Sequence, residues 1–389
     1  MQECLDKNFK DNFSNAIPIL EILENHGYLA YFVGGCVRDY LLGKKFSDID
    51  ITTSAKPEEI KLIFPKTFDT GIKHGTVTVI FNKQQYEITT FRSEKNYIQH
   101  RFPEDVEFIT SLPSDLERRD FTINAMTLDK NGNLLDLYSG KSDLSNKIIR
   151  TVNEANERFN EDALRMLRAF RFVAKLNFSI DQDTYLAICK NKELIKFISI
   201  ERIVAEFKKL FQGCANKHAM KLIIESELNK YIPFFNKVKE YTDFCCFKFE
   251  QAIFYLLDKN NIEFADVKKL KLSKDEYKEI KNYITIKEMF EENTPLKNIL
   301  YSNNIEDVLF IIKIYNFCTE EDILNINLPI KSFTDIDIDN KQIMQIFPNK
   351  KPGSWIKDIN KIVVNAILDG ILENKNEKIK EFIKKEVRL

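Results

Sequence analysis

The feature that most constrains the fold is a change in the spacing of hydrophobic residues at about residue 150. Before this point, β-branched and aromatic runs such as YLAYFV, GTVTVIF and YEITTF predict strands, with helical patterns between them. After it, segments such as NEDALRMLRAFRFVAKLNF and SIERIVAEFKKLFQG follow the 3.6-residue period of amphipathic helices. These patterns predict an α/β or α+β region followed by regions that are almost entirely helical.

Length and charge limit what the chain can be. With 389 residues, of which 44% are hydrophobic, it is predicted to fold into two or more packed units. Its 58 basic and 59 acidic side chains give a net charge of −1. A surface that binds nucleic acid must therefore be a local patch, because no positive field covers the whole protein.

The cysteines and histidines predict a protein with reduced thiols and no zinc site. The seven cysteines lack paired CxxC spacing, which indicates free thiols in a cytosolic protein. No histidine is spaced as a zinc ligand beside a second histidine or a cysteine. The first residues lack a signal-peptide pattern, and no window is apolar enough to span a membrane. We therefore expect a cytoplasmic protein without membrane contact.

The segment YFVGGCVRDYLLG predicts a tight turn between a strand and a helix. Gly34 and Gly35 allow the backbone to turn and to approach a ligand closely. A helix that begins there directs free N–H groups and the positive end of its dipole toward an anion. Arg38, in the first turn, can add a charge-assisted fork to a phosphate. A turn that binds no ligand is the alternative.

Two carboxylates follow in the segment FSDIDI, which predicts a half-buried strand. Side chains alternate along a strand, so Asp48 and Asp50 project from the same face. Because the two charges repel each other, we expect Mg²⁺ between them, held with phosphate oxygens and water. A metal pair beside a nucleotide phosphate is the arrangement for in-line nucleotidyl transfer. The alternative is a solvated pair, and Glu87 stays open as a third ligand.

The segment DLERRDFTINAM places two arginines side by side. In an extended segment, Arg118 and Arg119 point to opposite sides, so one can face a triphosphate while its neighbour pairs with Asp115 or Asp120. The alternative is a cluster of surface ion pairs, which contributes little to stability.

Charged residues recur at every third position of EDALRMLRAFR, namely Asp162, Arg165, Arg168 and Arg171. This spacing predicts a slowly drifting stripe along one side of a helix, with a solvated face as the alternative. Cytosine and adenine present an amino donor beside a ring-nitrogen acceptor, whereas guanine and uracil present a carbonyl beside an N–H. A carboxylate only accepts hydrogen bonds and an arginine only donates them. Asp162 with Arg165 therefore matches C or A, and leaves buried groups unpaired against G or U.

These motifs, with TGIKHGTVTV and RFPEDVEF, occur in an order and spacing that resemble the tRNA nucleotidyltransferase and bacterial poly(A) polymerase family of the polymerase beta superfamily. The match is specific over residues 31–172 and only loose beyond about 215. The resemblance is to the bacterial class II tRNA nucleotidyltransferases.

The resemblance implies an α+β protein whose head contains a mixed sheet. It implies a nucleotidyltransferase head over 1–150, a helical neck over 151–215 that selects the nucleotide, a helical body over 216–300 and a helical tail over 301–389 that binds tRNA. The implied reaction adds CCA to the 3′ end of tRNA from CTP and ATP, without a template.

The resemblance also implies roles for individual residues. The turn of Gly34, Gly35 and Arg38 binds the triphosphate, and Asp48 and Asp50 bind Mg²⁺. The remaining implied residues hold or read the nucleotide: Arg119, Asp162, Arg165, Arg168 and Arg171.

The segment RSEKNYIQHRFPEDVEF is rich in charge and predicts a mobile loop. In the family, a loop here is needed for the switch to A addition, so its presence favours CCA or A-only addition. Three alternatives stay open: an enzyme that adds only A, a bacterial poly(A) polymerase, and a catalytically silent RNA-binding protein. The charge-balanced C-terminal helix argues against the poly(A) polymerase, which tends to carry a long basic extension.

Overall fold

The computed structural model describes residues 2–98, 102–244 and 247–387. One of the histidines, His100, and two of the seven cysteines, Cys245 and Cys246, lie outside the described residues. Contacts divide the chain into two compact units, Met1–Leu272 and Ser273–Leu389. In the described part of the chain, no helix has the length and apolar character needed to cross a membrane.

The first unit contains the strands. They are β1 (Ala30–Val33), β2 (Asp50–Thr53), β3 (Thr67–Gly71), β4 (Thr76–Phe81), β5 (Gln84–Thr90), β6 (Arg92–Ile98), β7 (Phe102–Phe108), β8 (Met126–Leu128), β9 (Leu134–Asp136), β10 (Ile148–Ile149) and β11 (Ser179–Ile180). Seven strands of the described chain form one sheet in the order β3-β4-β5-β2-β1-β8-β9. Strand β2 pairs in parallel with β5, and the other neighbours pair antiparallel. The mixed sheet is thus confirmed.

Helices of the first unit alternate with the strands up to about residue 150 and predominate after it. They are α1 (Gln2–Phe13), α2 (Ile17–Asn25), α3 (Gly35–Leu41), α4 (Pro57–Ile63), α5 (Leu112–Glu117), α6 (Gly140–Asn146), α7 (Ala155–Glu161), α8 (Leu164–Leu176), α9 (Gln182–Asn191), α10 (Ile200–Phe211), α11 (Asn216–Glu225) and α12 (Phe249–Lys259). The change from strands to helices at about residue 150 is therefore confirmed, apart from the short parallel pair β10 and β11.

The second unit is helical within its described residues and has a core of its own. Its helices are α13 (Lys274–Glu291), α14 (Leu296–Ser302), α15 (Ile305–Tyr315), α16 (Glu320–Leu324), α17 (Asn340–Ile346), α18 (Trp355–Leu368) and α19 (Asn376–Glu386). Buried aliphatic side chains from the last three helices, among them Ile343, Ile359, Val363 and Ile379, pack into one cluster. Their removal from water stabilises this unit.

Two predicted elements differ from the structure. The predicted strand FSDIDI forms only from Asp50 onward, so Asp48 lies in the preceding loop. Strand β2 begins where pairing partners exist on both sides, since Asp50 pairs with Val33 of β1 and with Glu87 of β5. The predicted loop RSEKNYIQHRFPEDVEF instead contains β6 and β7, which pair antiparallel from Arg92 and Phe108 outward.

The charged segment after residue 160 also differs from the predicted continuous stripe. Helix α7 ends at Glu161, and Asp162 caps it with φ −133° and ψ 102°, outside the helical region. Helix α8 starts at Leu164. The spacing of hydrophobic residues is helical on both sides of this break, because buried apolar residues continue from Phe159 to Leu167.

Candidate nucleotide-binding and catalytic site

The turn after β1 brings a cation and a carboxylate against the same glycine. Gly34 has φ +76° and ψ −127°. Any residue with a Cβ atom would be strained in this conformation. A Cβ atom placed there would lie 3.4 Å from Nη1 of Arg119 and 3.6 Å from Oδ2 of Asp50. The glycine thus leaves room for both side chains beside the bare backbone that opens α3.

The carboxylates of the predicted pair differ in their surroundings. Asp50 is half-buried at the start of β2, whereas Asp48 is exposed and accepts a hydrogen bond of 3.0 Å from Oγ of Ser47. Burial raises the pKa of Asp50, and the nearby negative charge of Glu87 raises it further, against a smaller opposing effect of Arg119. Asp50 and Glu87 thus place two carboxylates side by side on neighbouring interior strands of the sheet. In the described part of the chain, no group of three or more His, Cys, Asp or Glu side chains forms a metal cluster.

Arg38 lies under the turn and is already paired. Its Nε and Nη2 atoms donate to the two carboxylate oxygens of Asp39 at 2.8 and 2.9 Å, and Nη1 donates to Oδ1 of Asn124 at 2.7 Å. The side chain is buried. The guanidinium group of Arg38 is thus bound to Asp39. It can bind a phosphate in the predicted way when the ion pair between Arg38 and Asp39 opens.

The two arginines of the ERRD segment do not lie on opposite sides of an extended segment. They follow the last turn of α5, and both reach back to the fully buried Asp115. Arg118 donates from Nε at 2.9 Å, and Arg119 donates from Nη2 at 3.3 Å. Burial alone would raise the pKa of Asp115, but the charges of Arg118 and Arg119 outweigh it and lower that pKa. Arg119, unlike Arg118, lines a cavity beside the glycine turn.

Arg168 and Arg171 of α8 lie in a network of buried acids. Nε of Arg168 donates to Oδ2 of Asp120 at 2.8 Å. Burial alone would raise the pKa of Asp120, but the charge of Arg168 and hydrogen bonds from Asn124 and Arg168 lower it well below its usual range. Nε of Arg171 lies 3.1 Å from Oε2 of Glu206 in α10. Burial and the charge of Arg168 lower the pKa of Arg171, with Glu206 opposing.

The other two members of the predicted stripe face elsewhere. Oδ2 of Asp162 accepts from Nη2 of Arg202 at 2.8 Å. The buried Arg165 donates from Nη1 to Oε2 of Glu161 at 2.6 Å and from Nη2 to the carbonyl oxygen of Arg118 at 2.8 Å. The prediction of one uninterrupted helical stripe is therefore wrong, since Asp162 precedes the helix and Arg165 points back toward the head.

A cavity of about 1110 Å³ lies between the turn after β1 and helix α8. Eight of the ten predicted site residues line it: Gly34, Gly35, Arg38, Asp48, Asp50, Arg119, Arg168 and Arg171. Asp162 and Arg165 are not among the lining residues. Burial alone would lower the pKa of Arg168, but the charges of Asp120, Glu206 and, more weakly, Asp162 raise it.

Several lining residues have no role in the sequence prediction. Phe172 lies beneath three guanidinium groups, 4.4 Å from that of Arg171, 5.3 Å from that of Arg38 and 5.8 Å from that of Arg168. Such contacts between a cation and an aromatic face are favourable. Asn124 joins Arg38 to Asp120, because its amide accepts from the first and donates to the second. The apolar period of α8 predicts Phe172 as a core residue and not as a site residue, and Asn124 has no periodic signal.

The mixed sheet, the glycine turn and the carboxylates beside an arginine-lined cavity define a nucleotidyltransferase. Family models agree along the chain. The model described as "Poly A polymerase head domain" matches residues 30–150, and the one described as "Probable RNA and SrmB- binding site of polymerase A" matches 177–238. The model described as "tRNA nucleotidyltransferase domain 2 putative" matches 248–383.

Whole-length relatives place the chain more closely. It is 40% identical to the CCA-adding enzyme of Ligilactobacillus salivarius, over 95% of this chain and 96% of that one. It is 37% identical to the CCA-adding enzyme of Bacillus subtilis, over 96% and 98% of the two chains. The crystal structure of the Bacillus stearothermophilus CCA-adding enzyme in complex with CTP superposes with a TM-score of 0.86 at 34% identity, covering 96% of each chain. The chain belongs to the family of CCA-adding tRNA nucleotidyltransferases.

Proposed function

We propose that this protein completes the 3′ end of tRNA by adding C, C and A from CTP and ATP. The observation that carries this proposal is the cavity, in which an aspartate pair on the head and two arginines of α8 line the same space. The aspartates supply carboxylates for phosphoryl transfer, and the arginines of α8 supply hydrogen-bond donors for the nucleotide. The site lies in the first unit, which includes the poly A polymerase head match.

The transfer forms one bond and breaks one. The 3′ oxygen of the tRNA attacks the α-phosphorus of the nucleotide, and the bond from that phosphorus to pyrophosphate breaks. Gly34 and Gly35 let the backbone approach the triphosphate, while Arg119 beside Gly34 stabilises its negative charge. Arg38 contributes positive charge from beneath the turn, where it also fixes Asn124.

The carboxylates at and just before the start of β2 suit a divalent cation, and we propose Mg²⁺. Asp48 and Asp50 supply carboxylate oxygens, the ligands that Mg²⁺ takes together with phosphate oxygens and water. Asp50 lies beside Glu87 on the neighbouring strand, so a cation there would compensate carboxylate charge. When bound, the ion would supply activation of the hydroxyl and stabilisation of the leaving pyrophosphate. A ligand role for Glu87, which pairs with Asp50 across β2 and β5, stays a prediction.

Base choice is assigned to Asp162 and Arg165 in this proposal. An acceptor-only group beside a donor-only group matches the amino and ring-nitrogen pair that C and A share. Asp162 contacts Arg202 and Arg165 contacts Glu161, so in this proposal both side chains turn toward the base that they read. Arg168 and Arg171 already line the cavity and hold the nucleotide beside them.

A tRNA extension assay tests the function. Transcripts that end in no added nucleotide, in C or in CC are each incubated with Mg²⁺, CTP and ATP. We expect all three to be completed to CCA and then to stop, and we expect the Asp50→Asn variant to leave them unextended.

Other outcomes would replace the proposal. Extension of the CC transcript alone would indicate an enzyme that adds only A. Long A tails made without CTP would indicate a poly(A) polymerase. No extension of any transcript by the folded wild-type protein would favour a silent RNA-binding protein.

A further inference from the structure

The carboxylate of Asp39, in helix α3, is shared by two cations from different helices. Its Oδ1 atom accepts from Nε of Arg38 at 2.8 Å, and its Oδ2 atom accepts from Nη2 of Arg38 at 2.9 Å. The same Oδ2 atom also accepts from Nζ of Lys175, in the last turn of α8, at 3.0 Å. All three residues line the nucleotide cavity, so one carboxylate there compensates two positive charges.

The three side chains differ in how firmly they are held. Arg38 is 3% exposed, its Nη1 atom donates to Asn124 at 2.7 Å, and its guanidinium group lies over the ring of Phe172. The side chain of Lys175 is 51% exposed, and its flexible four-carbon stem lets the ammonium group follow a partner. A change of rotamer moves the carboxylate of Asp39. Arg38 is therefore the fixed member of the three, and Asp39 and Lys175 are the mobile ones.

A phosphate that approaches Arg38 also meets the carboxylate of Asp39. The two negative groups repel each other. They also require the same donors, because Nε and Nη2 form the planar fork that matches a phosphate, and Asp39 engages both atoms. Arg38 is held by Asn124 and Phe172, so the carboxylate is the group that moves. Every charge keeps a partner if the carboxylate of Asp39 stays with Lys175 and leaves Arg38 to the phosphate.

We infer that Lys175 is a positioning residue for binding of the triphosphate. It acts by taking over the carboxylate of Asp39, which frees the fork of Arg38 for oxygens of the β- and γ-phosphates. The inference rests on the proposed contact between Arg38 and the triphosphate. Without Lys175, the carboxylate of Asp39 stays on Arg38 and competes with the triphosphate for it.

The inference is tested by equilibrium binding of CTP to the full-length protein without tRNA, with CMP measured by competition. We expect Lys175→Ala to raise the Kd for CTP about fivefold, a size within the range for residues in contact. The Kd for CMP should stay unchanged, because CMP lacks the β- and γ-phosphates. We expect Lys175→Arg to bind CTP nearly as tightly as wild type, because arginine keeps the positive charge. An unchanged Kd for CTP in Lys175→Ala, or equal weakening of CTP and CMP, would overturn the inference.

A matched control is an exposed lysine outside the cavity. Lys221, on α11, lies 3.6 Å from Glu225 and is not among the residues that line the cavity. Lys221→Ala removes the same charge as Lys175→Ala and also breaks an exposed ion pair. We expect it to leave the Kd for CTP unchanged, because such pairs contribute little. Thermal unfolding of every variant distinguishes a weaker site from a loss of fold.

Asp39→Asn, alone and combined with Lys175→Ala, separates an action through Asp39 from a direct contact with the nucleotide. The asparagine keeps the shape of the side chain and removes the charge that competes with phosphate. If Lys175 acts through Asp39, Lys175→Ala has no further effect on the Kd for CTP once Asp39 is replaced. A further loss of CTP affinity in the double variant would overturn the inference and show that Lys175 binds the nucleotide itself.

Arg38→Lys separates the inference from the contact on which it rests. Lysine keeps a positive charge beside Asp39 but lacks the planar fork, so we expect a raised Kd for CTP. A wild-type Kd in Arg38→Lys would overturn the proposed contact between Arg38 and the triphosphate, and the inference with it. A raised Kd in Arg38→Lys beside a wild-type Kd in Lys175→Ala would overturn the inference alone. The tRNA extension assay is a separate measurement, so the proposed addition of CCA stands or falls independently of both results.

Discussion

Asp115 shows how one buried carboxylate organises the site at the scale of a residue. It accepts hydrogen bonds from Oγ1 of Thr52 at 3.2 Å and from Arg118 and Arg119. The backbone N–H of Arg92 also donates to it, at 3.3 Å. Strand β2, strand β6 and the two arginines thereby meet at one side chain, which holds Arg119 beside Gly34.

We expect Asp115→Asn to destabilise the protein by about 3 kcal/mol at pH 7, because it leaves two arginine charges without their buried partner. The folded pKa of Asp115 is lowered. Its contribution to stability is therefore present above the unfolded pKa of about 4, and is lost as pH falls toward the lowered folded pKa. Urea unfolding of wild type and variant from pH 7 to pH 3 measures the difference.

A surface pair serves as the control for Asp115. Asp69 is half exposed and lies 2.6 Å from Nζ of Lys61, so Asp69→Asn is expected to change the unfolding free energy by less than about 1 kcal/mol. A wild-type advantage over Asp115→Asn that stayed constant down to pH 3 would contradict the assignment of the effect to the ionised carboxylate.

At the scale of elements, the sequence predicts whatever local periodicity controls. Strands β1, β4 and β5 and helices α8 and α10 occur where the patterns place them, because each buries one apolar face. The break at Asp162 does not change the hydrophobic period, because the apolar residues on both sides of it keep helical spacing. The sequence pattern therefore does not reveal the break. The pairing of Arg165 with Glu161 is an i,i+4 contact, so a local signal for it exists in the sequence.

Tertiary partners are the part that the sequence does not specify. Asp120, Asn124 and Glu206 pair with arginines that are remote in the chain, and no local spacing identifies such partners. Glu206 has one usable signal, since it is a charged residue near the apolar positions of an amphipathic helix. A charge placed there requires a buried partner.

The β6–β7 hairpin gives a prediction at the same scale. Deleting residues 95–105 and joining Glu94 to Val106, which pair across the two strands, through Asn-Gly keeps the first paired residues and removes the rest. By resemblance to the family, we expect CC addition to continue and A addition to fail. CTP incorporation on a transcript lacking CCA is compared with ATP incorporation on one ending in CC. Equal retention of both would show that the hairpin has no role in the switch.

At the scale of the whole molecule, the cavity belongs to the first unit and a separate hydrophobic core belongs to the second. The cavity is lined by residues from Gly34 to Gly213, all in the first unit. The second unit has its own hydrophobic cluster and matches the model of tRNA nucleotidyltransferase domain 2. Since net charge is −1 over 389 residues, tRNA must be held by local basic surfaces, and its affinity is expected to fall with salt.

A pair of isoleucines on α18 tests whether the second unit is stabilised by its own core. Ile359 is fully buried in the cluster, and Ile362 on the same helix is 41% exposed. We expect Ile359→Ala to cost about 2–5 kcal/mol through lost burial and the cavity that remains, and Ile362→Ala to cost less than about 1 kcal/mol.

Hydrogen exchange should show lost protection in α17, α18 and α19 only for the first variant. Protection of β1, β2 and β5 and the affinity for CTP should stay at their wild-type values, because the nucleotide cavity is lined by the first unit. Lost protection in those strands would instead show that the core of the second unit also stabilises the catalytic head.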